Sequence, residues 1–398
     1  MARLAVARVF AAQGAAVAAV STTVPAVKER LSLSPLTMTV LVVAVALSAG
    51  VGSFAGPAVI RRLGPVGAMR AAVVTAATAL LLIGRAPDQA VAAVSYGLFG
   101  MALGCIDVSA NTRAAAVERH YGRSIFASFY AAWSAAGVTA ALVTAGTARL
   151  GRPAEYTLTA DAVLVLALAL TVRAHELPAD SPPAGSDQGE PQGDSRGESV
   201  VLGRGLWIEL APFGLVLLVA YVIDSTVSSW STLYLHQTLD TALSLAPLAY
   251  AAYQVGTVTG RACADRLVRA VGPAAVIRAA TLLTATALAG LAAAPTWPYA
   301  VLAAGCTGLG VSALVPLCLA SAGRLRPGAT ESVLARMNVF NYLGVLAGGA
   351  ASGILGSTGH FRLAYGIPAA LVLALLATAG SFRLAAQAPS LTAGTISR

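Results

Sequence analysis

Charged residues are scarce in this sequence of 398 residues: Asp, Glu, Lys and Arg together make up 11%, against about 25% in soluble domains. Hydrophobic residues make up 57%. A chain with so few charges cannot cover its apolar surface in water, which excludes an ordinary soluble protein. Crossing a bilayer as a helix takes about 20 apolar residues. Uncharged stretches that reach this length cover 31–60, 124–148, 241–260, 279–323, 337–359 and 363–382. We therefore predict an all-α polytopic membrane protein.

The sequence is equally poor in the residues that build metal, redox or catalytic sites. Its four cysteines lie in or beside predicted spans without metal-ligand spacing, and they are Cys105, Cys263, Cys306 and Cys318. Its four histidines all fall in predicted loops, and they are His120, His175, His236 and His360. No Gly-rich phosphate loop with its Lys is present, which argues against ATP-driven transport by this chain alone. We expect no enzyme, no metal and no cofactor, with the proton gradient as the driving force.

The pattern of apolar runs predicts twelve transmembrane helices. Pro295 and Pro298 divide the longest uncharged run into two spans. The first six helices are predicted at 5–27, 36–59, 66–84, 89–112, 124–148 and 154–172. The second six are predicted at 206–235, 242–262, 273–293, 298–322, 331–357 and 363–383.

A repeat divides the chain into two similar halves. The nonapeptide at 64–72 returns 208 residues later at 272–280, and Gly, Pro and Arg recur at matching positions in the two copies. The same offset aligns further pairs, among them Gly52 with Gly260, Gly97 with Gly305, and Gly100 with Gly308. One offset over so much of the chain predicts two homologous halves. Six spans separate the copies, so both halves share one orientation, an arrangement typical of transporters with a site between their halves.

Basic residues and a polar segment complete the predicted organisation. Most Lys and Arg fall on the side of the N-terminus, so we expect both termini in the cytoplasm and contact with anionic lipid. This explains the formal charge of +9 without a nucleic-acid partner. Residues 174–204 are rich in Pro, Gly and acids, which predicts a disordered cytoplasmic linker. It separates an N-terminal half, 1–173, from a C-terminal half, 205–398. We expect the protein to function as a monomer.

Acids inside predicted spans are few, and a charge there is costly enough to indicate function; Asp107 and Asp224 are the strongest candidates, and Asp161 and Glu209 are weaker ones. Asp107 shares a helix face with Gly100, Gly104 and Asn111, and Asp224 is followed on one face by Ser228. A lone acid in each half suits proton coupling at a site between the halves; the alternative is an acid that only holds helices together. Other polar and aromatic residues at similar depth are candidates for the substrate cavity: Gln13, Asn111, Tyr130, Trp133, Ser228, Trp230, Gln254, Asn338 and Asn341.

A basic segment follows the second span of each half. The second copy runs from Gly260 to Gly272 and contains Asp265 and Arg266, while the first copy carries Arg61 and Arg62 without an equivalent acid. This segment resembles the short basic loop that acts as a cytoplasmic latch in the major facilitator superfamily. The resemblance implies a latch formed by Arg61, Arg62, Asp265 and Arg266, in contact with Ser124 or with the loop at 324–326. The alternative is a charge that only sets topology.

Three further stretches narrow the resemblance. They are 104–111, 128–134 and 224–235, and together they resemble a bacterial branch similar to sugar permeases of the fucose-permease type. The likeness covers the whole chain except the linker and implies a protein of the bacterial cytoplasmic, or inner, membrane. The chain departs from that pattern at Thr23, Tyr130 and Asp224, where Arg, His and Glu are expected. The Gly-Pro signature of drug–proton antiporters is absent from the fifth span.

These features favour a proton-coupled secondary transporter of a small polar molecule that works by alternating access. Two acids facing a cavity favour export of a polar or cationic metabolite or natural product. The family likeness favours the alternative, uptake of a sugar-like nutrient. A transporter-like sensor without flux is a third possibility that the sequence does not separate from a carrier. An intramembrane enzyme is disfavoured because the histidines are few and scattered.

Overall fold

The computed structural model describes residues 2–121, 126–170, 204–325 and 330–378, and these residues are almost entirely helical. The N-terminal half contains α1 (Ala2–Arg30), α2 (Pro35–Gly64), α3 (Val66–Arg85), α4 (Gln89–Tyr121), α5 (Phe126–Arg149) and α6 (Ala154–Leu170). The C-terminal half contains α7 (Arg204–Thr238), α8 (Leu248–Val271), α9 (Pro273–Ala293), α10 in two segments (Trp297–Val311 and Leu314–Leu325), α11 (Thr330–Ser357) and α12 (Phe361–Ala374).

Nine helices within these ranges are long and apolar enough to cross a membrane. The other three are α6, α8 and α12. The described part of α6 spans 17 residues and α12 spans 14, while α8 carries several arginines along its second half. The arrangement confirms the predicted polytopic fold of two pseudo-symmetric six-helix halves. The predicted linker at 174–204 lies almost entirely outside the described residues.

Two Gly-Pro pairs set sharp turns at equivalent places in the halves. Gly64 has φ 70° and Gly272 has φ 82°, both with ψ near 160°. Only glycine adopts such left-handed backbone without a steric penalty, and the residue before a proline is excluded from the helical region. The following Pro273 then starts α9 at a position where its missing N–H costs nothing.

The basic segments before these turns are helical, which corrects the predicted loops. The predicted spans ended at 59 and 262, whereas α2 continues to the Gly64 turn and α8 continues to Val271. Alanine, leucine and arginine favour helix, and the exposed arginines face away from the packed core, so the helices extend past the apolar run. The latch residues therefore lie on the last turns of helices.

The predicted single span at 298–322 is broken into two segments at Ser312 and Ala313. Pro316 explains the break, because its nitrogen has no hydrogen to donate to the carbonyl of Ser312 four residues earlier. The equivalent helix of the first half, α4, has Val108 at the corresponding position and stays continuous through Asp107.

Close helix contacts in the two halves recur at the repeat offset of 208 residues. In α4, a Cβ on Gly100 would collide with the carbonyl oxygen of Val45; in α10, a Cβ on Gly308 would collide with that of Tyr253. Each residue of the first pair lies 208 positions before its counterpart. Glycine is required at such contacts because the two backbones approach too closely for a side chain. The repeat therefore preserves the packing of the second helix of each half against the fourth.

The ends of α3 and α9 are capped in matching ways. Arg30 donates to the carbonyl oxygens of Ile83 and Gly84 at the end of α3. At the end of α9, Tyr234 donates to Leu291 at 2.9 Å and Arg362 donates to Ala292 at 2.8 Å. The last carbonyls of a helix lack intrahelical partners, so these side chains stabilise both helix ends.

Helices from the two halves meet along three pairs: α1 with α7, α2 with α11, and α5 with α8. Gly137 on α5 lies beside the hydroxyl of Tyr250 on α8, where an added Cβ would be 3.4 Å from that oxygen. The face between the halves is therefore lined by α1, α2 and α5 on one side and by α7, α8 and α11 on the other.

Candidate functional site

Asp107 lies on α4, and its carboxylate is reached by a side chain from α1. Gln13 donates its amide N–H to Oδ1 of Asp107 at 2.6 Å. Asp107 is exposed, whereas Gln13 is 7% exposed and belongs to the densely packed α1. The structure thus brings together two residues that the sequence predicted separately, one as a proton-coupling group and one as a cavity residue.

Asp224 lies on α7 and is held by a neighbour within the C-terminal half. Tyr253 on α8 donates its phenolic O–H to Oδ1 of Asp224 at 2.7 Å. Asp224 is half-buried, and the guanidinium of Arg261, two turns further along α8, acts on it electrostatically. The second acid therefore has a hydrogen-bond donor and a cation in its surroundings, while no ion pair joins Asp224 to Arg261 in the described part of the chain.

Arg261 connects the two halves through an aromatic ring. Its guanidinium carbon lies 5.8 Å from the ring centroid of Tyr130 on α5, within range of a cation–π interaction. Tyr130 in turn packs edge-on against Phe10 of α1, with 5.4 Å between ring centroids. The Nη1 atom of Arg261 is buried and has no hydrogen-bond partner among the described residues.

Tyr221 on α7 marks the point where these groups converge. It lies within electrostatic range of Asp224 and Arg261 of its own half and of Tyr130 and Asp107 of the other half. Tyr342 on α11 adds a second aromatic ring from the C-terminal half, because it lies near Tyr130 and is 60% exposed. Ionisable and aromatic groups from α4, α5, α7, α8 and α11 thus share one region between the halves.

The structure places Trp230 in the packed core of the C-terminal half. Its indole is 1% exposed, and its N–H donates to the carbonyl oxygen of Gly349 on α11 at 3.0 Å. The predicted assignment of Trp230 to a substrate cavity does not fit this environment. The tryptophan instead joins α7 to α11.

The remaining predicted cavity residues differ in how far they approach the site. Gln254 is 2% exposed on α8, and its Oε1 accepts a hydrogen bond from Thr257 at 3.3 Å. Asn111 and Ser228 each lie one turn beyond an acid, and each has a buried side-chain oxygen without a partner among the described residues. Trp133 lies beside Gly14 of α1, and Asn341 is half-buried on α11. The side chain of Asn338 is not among those that the structure describes.

The predicted latch residues are described only in part. Arg61 and Arg62 are exposed at the end of α2, and Arg266 is exposed on α8. The side chain of Asp265 and the proposed partner Ser124 lie outside the described residues, as does Arg326. The latch stays a prediction.

The pair formed by Glu29 and His236 joins the halves at the membrane face opposite the N-terminus. Nε2 of His236 lies 2.6 Å from Oε1 of Glu29, while its Nδ1 lies 2.8 Å from the carbonyl oxygen of Thr241. Since a carbonyl only accepts, Nδ1 carries a hydrogen, and Nε2 faces the carboxylate of Glu29. His236 occupies the last turn of α7, which corrects its predicted place in a loop.

Arg261, Tyr221 and Tyr253 belong to the site but were not predicted from the sequence. Arg261 was counted among the basic residues that set topology, because it stands close to Arg266 and Arg269. The available signal was helical spacing: Tyr253, Thr257 and Arg261 follow one another every four residues on α8. Asp161 is a deeply buried acid on α6, 1% exposed, and the helices packed most closely against α6 belong to the N-terminal half, so it stands apart from the site.

Comparisons with known proteins agree on one family. A sequence model of the Major Facilitator Superfamily matches residues 4–296 and 213–394. An uncharacterised MFS-type transporter of Yersinia pestis is 26% identical over 368 residues, covering 92% of this chain and 91% of the relative. Membrane protein MosC of Rhizobium meliloti is 26% identical over 273 residues, covering 68% of this chain and 63% of the relative.

Solved structures of transporters share the fold. The nucleoside transporter NupG superposes with a TM-score of 0.69 at 13% identity, covering 97% of this chain and 99% of that one. A D-xylose-proton symporter superposes with a TM-score of 0.69 at 15% identity, covering 95% and 96% of the two chains. At these identities the likeness concerns the fold.

Proposed function

This chain belongs to the major facilitator superfamily and is a membrane transporter, and from that premise we propose that it is a proton-coupled carrier of a small polar molecule. The carrier works by alternating access, with its halves rocking about the region between Asp107 and Asp224. We assign the N-terminal side to the cytoplasm of a bacterial inner membrane, because most of the arginines lie on that side. The resemblance to fucose-permease-type proteins stays a prediction.

The observation that carries this proposal is the convergence of ionisable groups from both halves. Asp107, Asp224 and Arg261 all lie within electrostatic range of Tyr221, although they belong to three different helices. Charged side chains in spans are expensive unless they face protein or water, and they mark ion and substrate pathways. A site shared between two halves is also the place where rocking changes access from one membrane face to the other.

Export of a metabolite is our preferred direction, and uptake of a sugar-like nutrient is the second candidate. Two acids against one arginine give the region between the halves a net negative character, which favours cargo that carries positive charge. The exposed rings of Tyr130 and Tyr342 favour the second candidate, because sugars stack on aromatic faces. Both candidates require flux, which separates them from a sensor.

The test begins with a ligand screen on the purified protein. Polar metabolites, including sugars, nucleosides and amines, are scored by the rise in melting temperature that binding causes. Ligands that stabilise the protein are then measured for counterflow in proteoliposomes, with and without a pH difference across the membrane. We expect counterflow, and we expect the pH difference to drive net accumulation.

Two isosteric substitutions test the coupling groups. Asp107→Asn and Asp224→Asn each remove one titratable carboxyl while keeping a hydrogen-bond acceptor for Gln13 or Tyr253. We expect at least one of them to abolish accumulation driven by the pH difference. Accumulation that survives both substitutions would remove these acids from the coupling mechanism, and stabilising ligands without counterflow would indicate a sensor.

A further inference from the structure

Asp161 is a buried acid that the proposed transport route does not use. It lies two turns into α6, and its side chain is 1% exposed. Both of its carboxylate oxygens are buried, and neither has a hydrogen-bond partner among the described residues. Asp161 is the one described acid in which both oxygens are in this state. Its burial therefore needs an explanation of its own.

The face of α6 that carries Asp161 is packed against apolar residues. Leu158, Ala162 and Val165 lie on the same face at helical spacing and are at most 1% exposed. A Cβ added to Gly84 of α3 would lie 3.3 Å from the Cβ of Leu158, and α1 also packs closely against α6. The Asp161 carboxyl thus lies between packed helices, where bulk water does not reach it.

Hydroxyl groups lie at a similar depth, but they bind other partners. Thr157, one turn before Asp161 on α6, shares a hydrogen bond with Thr147 of α5. Thr22 of α1 donates to the carbonyl oxygen of Ala18 at 2.7 Å, and its oxygen lies 2.8 Å from that of Thr144 on α5. A carboxylate would attract such donors. None of them is directed at Asp161.

No cation offsets a charge on Asp161 either. The charged residues of α6 and of the helices packed against it lie near the helix ends: Arg3, Arg8, Lys28, Glu29 and Arg30 on α1, Arg70 and Arg85 on α3, Arg149 on α5, and Glu155 on α6. Arg30 donates to carbonyl oxygens at the end of α3. In the described part of the chain, none of these residues forms an ion pair or a hydrogen bond with Asp161.

A proton accounts for these observations. An ionised carboxylate loses its hydration on burial, and without donors or a cation nothing offsets that loss. An un-ionised carboxyl has no charge to desolvate and needs an acceptor for one hydrogen only. The carbonyl oxygens of surrounding helices retain a free lone pair that suits this hydrogen.

We propose that Asp161 is a proton-binding site of the N-terminal half, separate from the region between the halves, and that it holds its proton in the folded protein at neutral pH. The bound proton allows α6 to pack against α1, the helix that presents Gln13 to Asp107. It supports the half and is not carried across the membrane. The site depends on neither the cargo nor the direction of transport.

The proposal predicts how stability changes with pH. In the unfolded chain Asp161 ionises above about pH 4, as an ordinary aspartate does. The folded protein then holds one proton more than the unfolded chain, so stability falls as pH rises, by up to about tenfold in the folding constant per pH unit. Asp161→Asn keeps the shape of the neutral carboxyl and cannot ionise. Between about pH 5 and pH 9, its melting temperature should therefore fall less than that of the parent.

Two further variants complete the test on the purified full-length protein. Asp161→Leu has a similar shape without polar atoms, and it should fold and show the same weak dependence on pH as Asp161→Asn. Glu155→Gln is the matched control, because Glu155 is a half-buried acid in the first turn of the same helix. It should keep the parent's dependence on pH.

Infrared spectroscopy detects the proton directly. At neutral pH the parent and Glu155→Gln should show the carbonyl absorption of one more un-ionised carboxyl group than Asp161→Asn and Asp161→Leu. Absence of this difference would overturn the proposal, as would melting temperatures of both Asp161 variants that fall below the parent's at every pH. Melting in sodium chloride and in choline chloride distinguishes a metal ion: stabilisation of the parent by sodium that Asp161→Asn abolishes would place Na⁺ at the site and overturn the proposal.

Transport separates this proposal from the proposed function. Counterflow and accumulation driven by a pH difference should persist in Asp161→Asn. Loss of accumulation in this variant alone would place Asp161 on the transport route, against the proposal. If the parent itself shows no counterflow, the proposed function falls, while the infrared difference still decides whether Asp161 binds a proton.

Discussion

The two halves of this transporter share a packing framework and differ in the polar groups placed on it. Glycine contacts, Gly-Pro turns and the capped ends of α3 and α9 recur at equivalent positions. The ionisable residues between the halves do not recur. The positions equivalent to Asp107, Asp224 and Arg261 are Val315, Ala16 and Ser53. Symmetry is therefore kept where backbones must approach closely, and it is lost where charge is placed.

This difference has a physical reason. A close backbone contact depends on local geometry, which is the same in each half, so both copies need glycine. A charge between the halves acts on both of them, and two symmetric acids at one depth would repel each other. Placing one acid on α4 and the other on α7 gives one acid with a cation nearby, Arg261, and one without. The symmetric framework thus carries an asymmetric set of charges. This gives the carrier separate residues for coupling and for structural support.

The largest effect should come from breaking the shared framework in each half. Gly100→Ala and Gly308→Ala place a methyl group against a backbone carbonyl at equivalent contacts. Each should destabilise the protein by about 1–3 kcal/mol through overpacking, measured as a loss of folded protein on size-exclusion chromatography and a lower melting temperature.

Gly50→Ala is the control for this comparison, because nothing lies within 4 Å of its added methyl group. It should leave the melting temperature unchanged or raise it slightly, since alanine favours helix. If the protein tolerates Gly100→Ala but not Gly308→Ala, or the reverse, the two halves do not share one packing framework.

The next effect should distinguish Asp224, which has the cation Arg261 nearby, from Asp107, which does not. Arg261→Gln leaves Asp224 without its cation and should cost about 1–3 kcal/mol of stability. Combining it with Asp224→Asn should restore part of this loss, since neither charge is then left alone. A double-mutant cycle in detergent micelles gives the coupling energy, which should exceed about 0.5 kcal/mol.

The same cycle with Asp107→Asn is the comparison. Because no cation contacts Asp107 among the described residues, its coupling to Arg261 should be within about 0.5 kcal/mol of zero. A large coupling between Arg261 and Asp107 would show that the arginine serves both acids, and the proposed division between them would be wrong.

A smaller effect should come from Trp230, which joins α7 to α11 within one half. Trp230→Phe removes the indole N–H that donates to Gly349 and leaves a buried carbonyl without a partner. We expect a loss of about 0.5–1.5 kcal/mol in stability, seen as a lower melting temperature. Ligand affinity, corrected for stability, should stay within a factor of about two if the tryptophan only packs; a greater loss of affinity would return it to the cavity.

The sequence predicted the fold and part of the site for identifiable reasons. Uncharged runs and the repeat at 64–72 and 272–280 predicted twelve spans in two halves, since both depend on composition and order along the chain. Asp107 was predicted from its cost inside a span, and Gln13 from its depth. The contact between them was not predictable, because it depends on how α1 rotates against α4. Arg261 was missed for a similar reason: along the sequence it looks like a topology charge, and only packing places it beside Tyr130.

The smallest effect should come from the ion pair that joins the halves at the face opposite the N-terminus. Glu29 is 53% exposed and His236 is 21% exposed, so solvent screens their attraction and the pair contributes about 0.2–1 kcal/mol. Glu29→Gln removes the negative charge that faces Nε2 of His236 and leaves a neutral amide in its place. This should shift the protein modestly toward opening at that face, since the α1–α7 contact is weakened while the tight α2–α11 contact remains.

A cysteine introduced at Thr39, which packs against Gly353, reports the opening through its reaction with a membrane-impermeant thiol reagent. The four native cysteines are first replaced by alanine. Labelling should rise by a factor of about two to five in Glu29→Gln. Equal labelling of both proteins would mean that the pair is a passive surface contact and that closure at this face depends on helix packing alone.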